Sequence, residues 1–184
     1  MASPDQIPGI RPRATLGRRL DIAARHSFPA GCTIVLMLMI EMPLGIPDQA
    51  VLLPAVTLPC VYFWSLFRPA AMPPPVVFLI GLLLDLLGYL PIGVGVLTLL
   101  AVHGFALRWR RFLTRQGFLQ VWLVFAGFAV LAAALTWTLA ALLLFRLLPV
   151  TPALFQAVLT IALYPALAVL FTRAHRSVAA PELA

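Results

Sequence analysis

The sequence predicts an all-α polytopic membrane protein, a bundle of about six transmembrane helices with both termini cytoplasmic. Three observations predict it. Apolar residues make up 62% of the 184 and charged residues 10%, with a mean hydropathy of +1.03. A soluble domain is nearer half apolar and a quarter charged, and a chain this short has too little interior to hide the excess from water. Second, the apolar residues fall into six runs punctuated by Pro, Gly and Arg. Third, the arginines collect in alternate gaps between those runs, the pattern that fixes orientation in a bilayer.

Residues 1–27 are polar and Arg-rich, with Pro4, Pro8 and Pro12, and read as a cytoplasmic tail. Arg18, Arg19 and Arg25 suit a short interfacial helix ahead of the membrane. A six-helix transmembrane domain is expected over 28–172. Its first run, Phe28 to Pro43, has no small-residue cleavage site after it and reads as a retained helix. The second, Val51 to Phe67, contains Pro54 and Pro59, which predict a kink or a late start. The third and fourth, Val76 to Leu90 and Ile92 to Leu107, are shorter than the roughly 20 residues a helix needs to cross. The fifth, Phe118 to Phe145, is long enough to tilt, and the sixth covers Pro152 to Phe171. Pro47-Asp48, Arg68 to Pro75, Gly88 to Gly93 and Pro149 to Pro152 mark turns. Residues 173–184 read as a second cytoplasmic tail, and no internal repeat is visible.

All 13 basic residues are arginine, and 12 of them flank the same side of the predicted spans. Arg108, Arg110, Arg111 and Arg115 form the densest group, and Arg146 alone lies opposite. The positive-inside rule makes the 12 a cytoplasmic basic surface, not a nucleic-acid footprint. Trp64, Trp109 and Trp122 fall at that edge, where indoles sit at headgroup level. Cys32 and Cys60 lie in apolar runs without a CxxC or a nearby His and read as packing residues. No metal site or cofactor is expected.

Ionisable residues inside spans are costly and mark functional or structural contacts. Asp85 stands out. Gly81, Asp85 and Gly88 are three and four apart and share a helix face. Glycines there allow a second backbone to approach, and the carboxylate can accept that helix's donors. A buried anchor between helices is the first reading of Asp85, ligand or ion contact the second, and catalysis the last. Glu41 and Arg146 have matching depths, which allows an ion pair of Arg146 with Glu41 or Asp85; snorkelling to the headgroups is preferred. His103 reads as a hydrogen-bonded packing histidine, ahead of a ligand or proton relay.

The stretch Phe63-Trp64-Ser65-Leu66-Phe67-Arg68-Pro69, the Pro73-Pro74-Pro75 turn, the helix Gly81-Leu82-Leu83-Leu84-Asp85-Leu86-Leu87-Gly88 and the turn Pro91-Ile92-Gly93 resemble the bacterial rod shape-determining protein MreD family. Arg110-Arg111-Phe112 and Leu163-Tyr164-Pro165 add to the likeness, while Ala70 and Leu84 replace residues often acidic or polar in members. The resemblance implies a non-enzymatic inner-membrane scaffold or regulator of the peptidoglycan elongation machinery that maintains rod shape. It implies MreC as the main partner and, through the complex, MreB, RodA and a penicillin-binding transpeptidase. Gly81, Asp85, Gly88 and Gly93 lie within the Gly81 to Gly93 stretch and are the candidates for helix packing or partner contact. The resemblance also implies a helical core similar to the substrate-binding subunit of energy-coupling-factor transporters, so a transporter subunit is the alternative function.

Overall fold

The computed structural model describes residues 16–42, 52–88 and 91–179, and the side chains among them from 27 to 173. The expected turn at Pro47-Asp48, Arg11 and Arg13 of the tail, and residues 180–184 lie outside the described residues. The fold is all-helical. The helices are α1 (Leu16–Glu41), α2 (Leu52–Phe67), α3 (Pro74–Leu87), α4 (Val94–Leu113), α5 (Phe118–Leu144) and α6 (Thr151–Ala179), with a 3-10 turn over Pro69–Ala71.

Several boundaries differ from the apolar runs, each for a local reason. The first helix begins at Leu16, 12 positions before Phe28, and continues through Pro29, so the arginines at 18, 19 and 25 share its backbone. Pro54 sits in the first turn of α2, where its missing N–H has no intrahelical role; Pro59 is inside the helix. The third helix starts at Pro74, because proline is pre-set for the first helical position. The fourth ends at Leu113, beyond Leu107, and carries Arg110 and Arg111 in its last turn, where cations suit the helix dipole.

The centre of the bundle is α2, buried on all sides from Ala55 to Leu66. A helix apolar all round belongs in an interior, and α1, α4 and α6 pack on it. Tyr62, Phe125 and Tyr164 form an aromatic core, with ring centroids 5.0 Å apart for Tyr62–Phe125 and 4.3 Å for Phe125–Tyr164. Trp64, expected at a headgroup edge, is instead fully buried against Phe28 and Phe171. Trp109 is the exposed indole of that group.

Two helices, Phe118–Leu144 and Thr151–Arg173 within α6, are long and apolar enough to cross a membrane. Only 28% of the most apolar window of each is buried, whereas the core helix of a soluble protein is mostly buried. Leu142, Leu147, Phe155 and Val158 are among the large apolar side chains left on the outside.

The helices alternate in direction, which defines two ends. One end gathers the C-termini of α2 and α4 with the start of α5 and carries Arg108, Arg110, Arg111 and Arg115. The other holds Glu41, the α3–α4 turn and Arg146.

Candidate functional site

The α3–α4 turn is built around one carboxylate. Asp85 lies in the last turn of α3 and is 3% exposed. Its Oδ2 accepts from the backbone N–H of Gly93 at 2.7 Å and of Val96 at 3.3 Å, and its Oδ1 accepts from Gly95 N–H at 2.7 Å. The first N–H groups of a helix have no partner of their own. Here every one is accounted for. Val94 N–H donates to the Pro91 carbonyl, Gly95 and Val96 donate to Asp85, and Leu97 donates to the Gly93 carbonyl. The residue at the cap, Gly93, has no side chain to offer. A side chain eight residues earlier, on another helix, supplies the acceptor. Its negative charge also meets the positive end of the α4 dipole.

The glycines make that approach possible. A Cβ on Gly81 would fall 2.7 Å from Val96 Cα, which is backbone and cannot turn aside. A Cβ on Gly95 would collide with Asp85 Oδ1. Gly93 has φ +103°, in the left-handed region where side chains are strained. Gly88, expected on the same contact face, differs: it caps α3 with φ −84°, which any residue adopts.

Other polar contacts tie α4 to its neighbours. Arg110 Nε donates to the Leu66 carbonyl at 2.7 Å, placing a cation on the C-terminal turn of α2. His103 is buried, and its Nδ1 lies 2.7 Å from Ser65 Oγ. The Ser65 hydroxyl donates its single proton to the Val61 carbonyl at 2.6 Å, so the imidazole donates through Nδ1 and keeps a lone pair on Nε2. Among the described residues that Nε2 is buried without a partner. Thr98 donates to the Val94 carbonyl and lies 3.2 Å from Thr136 Oγ1 on α5.

The remaining predicted residues stand apart from this set. Arg146 is exposed and Glu41 half-buried, and among the described residues no ion pair joins Arg146 to Glu41 or to Asp85. Arg108, Arg111 and Arg115 are exposed at the opposite end. Cys60 is buried and Cys32 half-buried, both as free thiols. Among the described residues no group of three His, Cys, Asp or Glu stands ready for a metal ion.

Two contributors escaped the sequence reading. Gly95 matters as much as Gly81, and its signal was the Gly93-x-Gly95 spacing beside an acid-bearing helix. Trp122 donates its indole N–H to the Ile161 carbonyl at 3.1 Å. That carbonyl is freed because Pro165, four residues on, has no N–H to give.

Chemically, the arrangement fastens helices. The Asp85 oxygens are spent on backbone donors. No family model matches the chain, and neither the curated proteins nor the solved structures provide a match.

Proposed function

We propose that the chain is a multi-pass protein of the bacterial inner membrane, with both termini cytoplasmic. It acts as a non-enzymatic scaffold of the MreD type for side-wall peptidoglycan synthesis. Its main partner is MreC, and through that complex it meets MreB, RodA and a penicillin-binding transpeptidase. The block from Gly81 to Gly93 carries the most specific part of the resemblance.

One observation carries the reading: the Asp85 clasp closes a hairpin that is short for a bilayer. Fourteen residues of α3 rise about 21 Å at ~1.5 Å each, against a hydrocarbon core of about 30 Å. The α3–α4 turn then lies below the membrane surface, where water cannot serve its N–H groups. A buried carboxylate is what such a turn requires. Gly81, Asp85, Gly93 and Gly95 act as positioning residues that fix the hairpin, and Leu79, Leu86 and Ile92, exposed on it, are the surface a membrane partner meets.

A transporter subunit is the second reading. It is favoured by a cavity at the same end, lined by Thr98, Thr136, Gln156 and Thr160. That cavity has room for about one water molecule, and a neighbouring one that shares Thr136 and Gln156 holds about 140 Å³; both fall below the few hundred Å³ of a ligand pocket, so the scaffold reading comes first.

Affinity purification of the full chain with MreC from detergent-solubilised membranes tests the proposal. Co-purification is expected for the native chain and a several-fold loss for Asp85→Leu at equal membrane insertion. Unchanged MreC recovery by a normally folded Asp85→Leu protein would remove Asp85 from the proposal, and absence of MreC from the native preparation would remove the scaffold reading.

A further inference from the structure

A second cavity, of about 210 Å³, opens at the arginine end of the bundle. It is walled by Phe63 and Phe67 of α2, Phe118 of α5 and Tyr164 of α6, with Gln116 and Thr172 among its polar residues. Three features set it apart. Its aromatic wall reaches the outer surface, since Phe67 and Phe118 are both about half exposed. Tyr164 is 1% exposed and stacked on Phe125 and Phe118. Its phenol adds a polar group to an otherwise aromatic wall. Finally, Arg115 and Arg173 directly adjoin cavity residues Gln116 and Thr172 in the chain, and both are exposed. The acids among the described side chains, Glu41 and Asp85, lie at the far end.

An occupant must therefore combine an anionic head with an apolar body and offer an acceptor to a phenol. A phospholipid does this in one molecule: phosphate for the guanidinium groups, ester carbonyl for the hydroxyl, acyl chain for the rings. Basic pockets between helices on the cytoplasmic side are suited to anionic headgroups. We infer that this cavity holds an anionic phospholipid of the inner leaflet, with Arg115 and Arg173 at its phosphate and Phe63, Phe67, Phe118 and Tyr164 along its upper acyl chain. The inference rests on the membrane reading above but not on any partner protein.

The test is native mass spectrometry of the full chain in a neutral detergent. It is titrated with phosphatidylglycerol or with phosphatidylcholine of the same chains, and a glutamate-rich peptide is a third arm. Phosphatidylglycerol is expected to be retained preferentially. Arg115→Gln and Arg173→Gln should each lower that retention about fivefold, as expected for one surface cation at an anionic lipid, without changing phosphatidylcholine. Thr172→Trp, which plugs the cavity from an exposed position, should abolish the preference, and Tyr164→Phe should weaken it at unchanged thermal stability. Equal retention of the two lipids, or a preference untouched by the arginine and plug variants, overturns the inference. So does tight binding of the peptide without lipid preference, which points to an acidic protein partner. A chain that stays monodisperse in buffer without detergent overturns the membrane reading itself, and this is measured before lipid is added.

Discussion

A carboxylate among leucines is costly unless donors meet it, and Asp85 meets three. Replacing it leaves those N–H groups buried without acceptors, at about 1–3 kcal/mol each in an unrelieved site. Asp85→Asn keeps one acceptor oxygen but turns an amide NH₂ towards donors. It is expected to cost about 2 kcal/mol, and Asp85→Ala more, by denaturant unfolding in detergent micelles. Equal stability of the native chain and Asp85→Ala would show the clasp to be idle. The glycines divide in the same assay. Gly81→Ala must push Val96 backbone away and is expected to cost about 1–3 kcal/mol. Gly88→Ala, at an ordinary φ, should stay within about 0.5 kcal/mol. Phe145 offers the opposite case. It ends α5 with φ +49° and is 90% exposed, so it carries left-handed strain with little packing to offset it. Phe145→Gly is expected to raise stability by about 1 kcal/mol; a lower midpoint would mean that the ring has a binding role.

Among elements, α4 makes polar contacts with three neighbouring helices. It is clasped at its start by Asp85 of α3, bound along its length to Ser65 of α2 and Thr136 of α5, and pinned at its last turn to the Leu66 carbonyl. Charges of opposite sign thus serve opposite helix ends, as the dipole requires. The α5–α6 pair uses a different device. Pro165 opens the backbone of α6, and the Trp122 indole closes it. Trp122→Phe removes that donor and is expected to cost about 1 kcal/mol in a background with Pro165. In a Pro165→Ala background the restored N–H takes over the Ile161 carbonyl, and the same change should be nearly silent. Additive effects in this double-mutant cycle would show that the indole does not serve the proline gap.

For the whole molecule, the decisive property is its outer surface. Large apolar side chains such as Leu147 and Val158 face outward, and soluble monomers rarely present wide apolar patches. The arginine end and the Asp85 end are chemically distinct, so orientation in a bilayer is a single measurable quantity. Under the proposed topology, and in a background lacking Cys32 and Cys60, a thiol at Thr114 should react with an impermeant maleimide only after the inner membrane is permeabilised. A thiol at Leu147 should react in intact spheroplasts. The reverse pattern would invert the proposed topology and place the cavity walled by Phe67 and Tyr164 on the outer leaflet.

Much of this was legible in one dimension because it is a matter of composition and local geometry. Hydropathy pointed to the all-helical class, since an apolar run placed in lipid has one way to satisfy its backbone, and every regular element among the described residues is a helix. Prolines 74, 149 and 152 and the Gly88 to Gly93 cluster located the breaks. The 3.6-residue period put Gly81 and Asp85 on one face. What the chain could not reveal was adjacency. That Asp85 reaches the N–H groups of Gly93, Gly95 and Val96, and not the guanidinium of Arg146, depends on how tightly two helices fold back on each other. That Trp64 is buried rather than at a surface depends on which helix occupies the centre. Hydropathy, charge and periodicity act along the chain and are written in it, whereas the partner of each buried polar atom is set by packing between segments far apart, where a shift of a few ångströms decides whether a donor finds its acceptor.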